Sequence, residues 1–82
     1  MAGQLFSAPV VVRTRAGVRH IVSRVDEAAE ILLYEVPGPA QGDCLVRTAM
    51  KACHDALHGK GEIENARTIF EAAMRELGLL AD

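Results

Sequence analysis

The stretch MKACHDALHGKGE, residues 50–62, gathers Cys53, His54 and His58, the densest set of metal-ligating and nucleophilic side chains in the chain. Histidines at i and i+4 share a helix face and could hold a transition metal. A zinc site, however, needs a third and usually a fourth protein ligand. The H-x-x-x-H spacing also lacks the interleaved Glu of the metalloprotease motif. On a helix Cys53 points about 100° away from His54 and about 140° from His58. Asp55 diverges from His54 by about 100° as well, so no acid–base pair forms locally. Histidines on the wet face of a last turn gain instead from the helix dipole when protonated. This reading assigns no catalytic residue, no metal ligand and no cofactor.

The two cysteines lie nine residues apart, on opposite sides of one helix and about 13.5 Å apart along its axis. That separation excludes a disulfide between them. Cys53 falls among apolar positions and reads as a small core hydrophobe. Cys44 points outward in the first helical turn, where the dipole favours a thiolate and neighbouring Asp43 opposes it, and is the candidate reactive thiol.

Arg13, Arg15, Arg19 and Arg24 give residues 1–25 a charge of +4 with no acidic residue, against −6 for the remainder. This candidate basic patch could lie along nucleic-acid phosphates. The chain as a whole is net acidic, and no aromatic residues interleave with the arginines to stack on bases. Arginines also deter edge-to-edge pairing of exposed strands. Gly59-Lys60-Gly61 lacks the spacing of a phosphate loop and reads as an interhelical turn. Arg67 can reach Glu64 or Glu71 and reads as part of a structural ion pair.

The elements that position these residues are readable from periodicity. Two β-branched runs, APVVVRT and VRHIVS, flank RAG and predict an antiparallel hairpin over about residues 8–22. A three-residue loop Arg15-Ala16-Gly17 leaves the positive φ to glycine and pairs Thr14 with Val18. It puts Val10, Val12, Val18, His20 and Val22 on one face and Val11, Arg13, Arg19 and Ile21 on the other. Ser23 opens S-x-x-D as a weak capping box for a helix over about 24–36. That helix carries Val25, Ala28, Ala29, Leu32, Leu33 and Val36 on its core stripe, with Ile31 and Tyr34 projecting from the other side. Pro37-Gly38-Pro39 ends it. A second helix, about 43–58, is capped by Gly59, and a third, about 63–77, by Gly78 with Leu79 folding back.

Eighty-two residues, half of them apolar, fit one small α+β domain, a hairpin packed with three helices (ββααα), with residues 1–5 flexible. Two cysteines are too few for a disulfide-stapled secreted scaffold. The N-terminal residues lack a signal-peptide pattern, and no apolar run reaches the roughly 18 residues of a membrane span. Together these predict a cytoplasmic protein with no membrane association.

With the elements placed, the order of motifs resembles the domain of unknown function 982 family, small proteins of rhizobia and related alphaproteobacteria. The residues that carry the likeness are PVVV at 9–12, EAAEILL at 27–33, Pro37, Gly42, Cys53 and ALHG at 56–59. AR at 66–67, Phe70, AA at 72–73 and Gly78 complete it. Members often have Trp before the proline that closes the first helix; here Val36 stands there. The resemblance implies a free-standing cytoplasmic bacterial protein and transfers no catalytic residue, because the family has no established activity.

Two strands alone make a poor sheet, and a core this small is marginal. The spare apolar residues Val11, Ile21, Ile31 and Tyr34 therefore form the candidate interaction surface and predict a homodimer. The favoured reading is a non-enzymatic interaction or regulatory module with an unknown protein partner; the alternative is nucleic-acid binding through the arginine hairpin.

Overall fold

The computed structural model describes residues 5–13, 17–36, 38 and 42–81. The chain forms an antiparallel hairpin, β1 (Leu5–Arg13) and β2 (Arg19–Arg24), followed by three helices, α1 (Val25–Tyr34), α2 (Cys44–Leu57) and α3 (Ile63–Leu77). It is the ββααα arrangement of the α+β class.

Val10 pairs with Val22, Val11 with Ile21, Val12 with His20 and Arg13 with Arg19. This is the register the β-branched pattern predicts, and Gly17 takes the positive φ of 82°. Thr14, Arg15 and Ala16 of the expected turn lie outside the described residues, as do residues 1–4. Val10, Val12 and Val22 are buried on the inner face. Val18 and His20 share that face by alternation yet are exposed, so the helices leave the turn end of the hairpin uncovered.

Toward its start β1 breaks register. Leu5 pairs with Arg24, which leaves extra β1 residues between that pair and Val10–Val22. Pro9 sits in this bulge, where a residue without an N–H costs no ladder bond. Phe6 turns inward and is buried. Ser7 is tied to α3: its N–H and hydroxyl both donate to the Glu64 carboxylate, at 2.7 Å each. Arg67 Nε donates to the same carboxylate at 3.0 Å and its Nη1 lies 3.6 Å from Glu71, so it reaches both acids. The Ser7 hydrogen bonds, seconded by Arg67, hold the Glu64 carboxyl below its ordinary pKa.

The sequence predicts a cap after the third helix, and the chain continues past it into further contacts. Gly78 adopts φ 74° and the Leu79 N–H donates to Met74 O at 2.9 Å, a Schellman closure. The chain then runs antiparallel along the free edge of β1. Arg13 N–H donates to Leu79 O (2.6 Å), Ala81 N–H donates to Val11 O (2.9 Å), and Val12 bridges Leu80. Because Val11 and Arg13 bond in that direction, Val10 and Val12 bond toward β2. The outward N–H groups of β2 then belong to Arg19, Ile21 and Ser23, and the Ser23 N–H is taken up by Glu27 Oε1 at 3.1 Å.

Two expectations for the first helix are corrected. The residue preceding the first turn is Arg24, not Ser23, and it caps with no side-chain bond; its guanidinium engages Asp26 instead. Ile31 is buried at 7% exposure, whereas Leu33 is 52% exposed. Apolar residues circle too much of α1 for the wheel to fix which flank is covered. Packing against β2, α2 and α3 centres the buried arc on Ala28 and Leu32, which takes in Ile31 and leaves Leu33 outside. Ile31 is therefore withdrawn from the candidate interaction surface. Of the expected terminator, Pro37 and Pro39 lie outside the described residues.

Asp43 caps α2 by accepting from the N–H groups of Leu45 (2.8 Å) and Val46 (3.4 Å). Val46, Ala49, Cys53 and Ala56 are the buried residues of α2; Ala66, Phe70, Ala73 and Met74 are those of α3. The small residues let the two helices approach closely, and Phe70, fully buried, fills the space among the elements.

The lowered pKa of Glu64 carries a prediction about acid stability. Its contribution is fully present above the unfolded carboxylate range, near about pH 4.3, and is lost as pH falls through the lower folded value. Urea midpoints for Glu64→Gln should lie below wild type at pH 7, and the gap should narrow as pH falls below the ordinary carboxylate range; parallel pH profiles would refute the role given to Glu64.

Candidate interaction surface

The helix separates the histidine–cysteine cluster as its geometry requires. Cys53 is fully buried, and that burial pushes its thiol up to about 11. His54 and His58 are exposed on the other side, their ring centroids 4.2 Å apart and the rings tilted by 31°. His58 Nδ1 lies 2.8 Å from His54 O, so the tautomer carrying that proton donates back into the helix end. His54 Nδ1 is 3.8 Å from Asp55 Oδ1, too long for a hydrogen bond. Asp55 accepts instead from Lys51 Nζ at 3.2 Å, and Lys51, with a smaller share from His54, keeps its carboxyl below the usual pKa. Among the described residues no group of three or more His, Cys, Asp or Glu side chains converges as a metal would require.

The four arginines do not act as one patch. Arg24 is neutralised by a two-bonded fork on Asp26, Nε to Oδ1 at 3.1 Å and Nη2 to Oδ2 at 3.0 Å. Arg15 lies outside the described residues. Arg13 and Arg19 face each other across the hairpin, both exposed and without an ion-pair partner among the described residues. Beside them on the outer sheet face stand half-buried Val11 and exposed Ile21, the latter at 63%. Tyr34, 74% exposed, belongs to the outer face of α1, so Val11, Ile21 and Tyr34 occupy faces of different elements.

A more coherent apolar surface lies elsewhere. Ala29 and Leu33 of α1, with Met50 and Leu57 of α2, form an open groove of about 380 Å³ between the two helices; Lys51 and His54 stand on its rim. Leu33 is the residue the helical wheel misplaced, which is why sequence reasoning missed the groove. A signal was present: Met50 and Leu57 fall at one end of the apolar arc of their helix, where cover from a neighbour is least assured. A shallower, more polar depression further round α2 is lined by Cys44, Arg47, Thr48 and Lys51. Cys44 is exposed there, and Thr48 Oγ1 donates to its carbonyl at 2.9 Å.

Residues 8–81 match the family described as Protein of unknown function (DUF982). The chain belongs to this family. Among solved structures it is similar to the NMR structure of Agrobacterium tumefaciens protein Atu1219, at 33% identity and a TM-score of 0.76. That likeness covers 96% of this chain and 77% of the other. No curated protein matches the chain. The DUF982 relationship thus fixes kinship and fold, and any functional reading must rest on the surfaces themselves. Among the described residues no helix of this family member is long and apolar enough to cross a membrane.

The contrast between the thiols is directly testable. With its pKa near 11, Cys53 is ionised to only about one part in a thousand at pH 8, and burial removes access as well. Iodoacetamide should therefore modify Cys44 alone in the folded protein and both thiols in denaturant, read by mass spectrometry. Equal labelling in the native state would contradict the placement of α2.

Proposed function

We propose that this protein is a small non-enzymatic interaction or regulatory module of the cytoplasm whose working surface is the groove between α1 and α2. The observation that carries the reading is the exposure of Leu33 above Ala29, Met50 and Leu57, next to Tyr34. Apolar side chains at this spacing on adjacent helices favour a protein partner, since burying them is the main driving force available. The hairpin face with Val11 and Ile21 is secondary, because its two apolar residues are flanked by unpaired arginines.

Immobilised protein should retain at least one protein from native cell extract, the chain itself included. Leu33→Asp, with an unchanged circular dichroism spectrum, should reduce that retention by about tenfold or more, a typical loss when an interface anchor is made charged. Equal retention by both would remove the groove from the reading.

A second reading rests on Arg13 and Arg19, whose direct opposition across β1 and β2 is unfavourable unless an anion joins them. It predicts salt-sensitive retardation of DNA or RNA, abolished by Arg13→Glu with Arg19→Glu. No shift at low salt disposes of it.

A further inference from the structure

The two walls of the α1–α2 groove carry opposite charge. Moving outward from Ala29 and Leu33, the exposed surface of α1 presents Asp26 and Glu30. Moving outward from Met50 and Leu57, that of α2 presents His54, Arg47 and Lys51. Asp26 is already matched by Arg24, and Lys51 reaches Asp55 with most of its side chain still exposed. Glu30 and Arg47 have no ion-pair partner among the described residues. An apolar floor between an acidic and a basic wall is complementary to itself under one operation only. A two-fold axis running along the groove lays α1 of each copy over α2 of the other, acid against base and Leu33 against Met50 and Leu57. A two-fold across the groove would set α1 on α1 and oppose like charges.

We infer that the occupant of the groove is a second copy of this chain, docked about a two-fold axis parallel to the groove so that Glu30 of each copy faces Lys51 of the other. This deepens the interaction reading above and rests on it. Glu30 follows Ala29 on the α1 wall and Lys51 lines the groove on the α2 wall, so this axis brings the walls that carry them face to face. Each contact occurs twice in the dimer, which doubles the effect of any substitution.

Size-exclusion chromatography with light scattering at high micromolar concentration should give a dimer for wild type. Leu33→Asp, Glu30→Lys and Lys51→Glu should each weaken it by about tenfold or more. The charge variants change exposed residues, and circular dichroism verifies that they fold. Mixing Glu30→Lys with Lys51→Glu should restore a dimer, because the heterodimer holds one native Glu30–Lys51 pair and one reversed pair, both attractive. Failure of the mixture to recover overturns the inference, as does a wild-type dimer indifferent to all three substitutions. A monomeric wild type that still loses a different protein on Leu33→Asp also overturns it, yet leaves the interaction reading standing. A monomer without any Leu33-dependent partner overturns both.

Discussion

The fold depends on satisfying both edges of β1. This strand supplies Val10 and Val12 to the core, so it lies where unpaired backbone groups would be costly. On one side β2 takes up its hydrogen bonds. On the other the segment 79–81 does so, through the N–H of Arg13 and the carbonyl of Val11. Where the strand loses register near Pro9, Glu64 replaces the missing backbone partner by holding Ser7. Three separate devices thus finish one strand, and two of them anchor the end or the start of α3 to it. The helices α1 and α2 are fastened less directly, by burial of Ala28, Leu32, Val46 and Cys53.

Much of this was legible in the residues. Alternating β-branched runs around a single glycine gave the hairpin register, since only Gly17 could take the positive φ. The alanine spacing of the second and third helices gave their buried faces, and Gly78 with Leu79 gave the closing turn. Illegible were the features set by tertiary contact. Nothing in the final residues marks them as partners for β1, because an extended apolar triplet has no period of its own. The capping pattern at Ser23 was outweighed by strand pairing that continues through Arg24, leaving Glu27 to reach back to the Ser23 N–H.

The candidate surface was less legible than the fold, for one physical reason. A helix with apolar residues most of the way round does not say which flank will be dry. Ile31 and Leu33 sit on opposite margins of the buried arc of α1, and only the positions of its neighbours decide between them. The exchange moves the exposed apolar patch from the side of Ile31 to the side facing α2, where it meets Met50 and Leu57. The burial of Cys53 away from exposed His54 and His58 was legible in the helical spacing, because these positions fall on different sides of α2.

The pairing of residues 79–81 with β1 also bears on how the chain acquires its structure during synthesis. β1 is made before the helices, and β2 follows within a few residues, so the hairpin can form ahead of them. Its other edge must wait until nearly all the described chain has emerged. Until then a Val-rich strand presents unpaired backbone to its surroundings, the condition under which nascent chains associate wrongly. The closing contacts also span a long stretch of sequence, which makes them entropically slow to find. The helices therefore have to assemble around a sheet that is still open on one side.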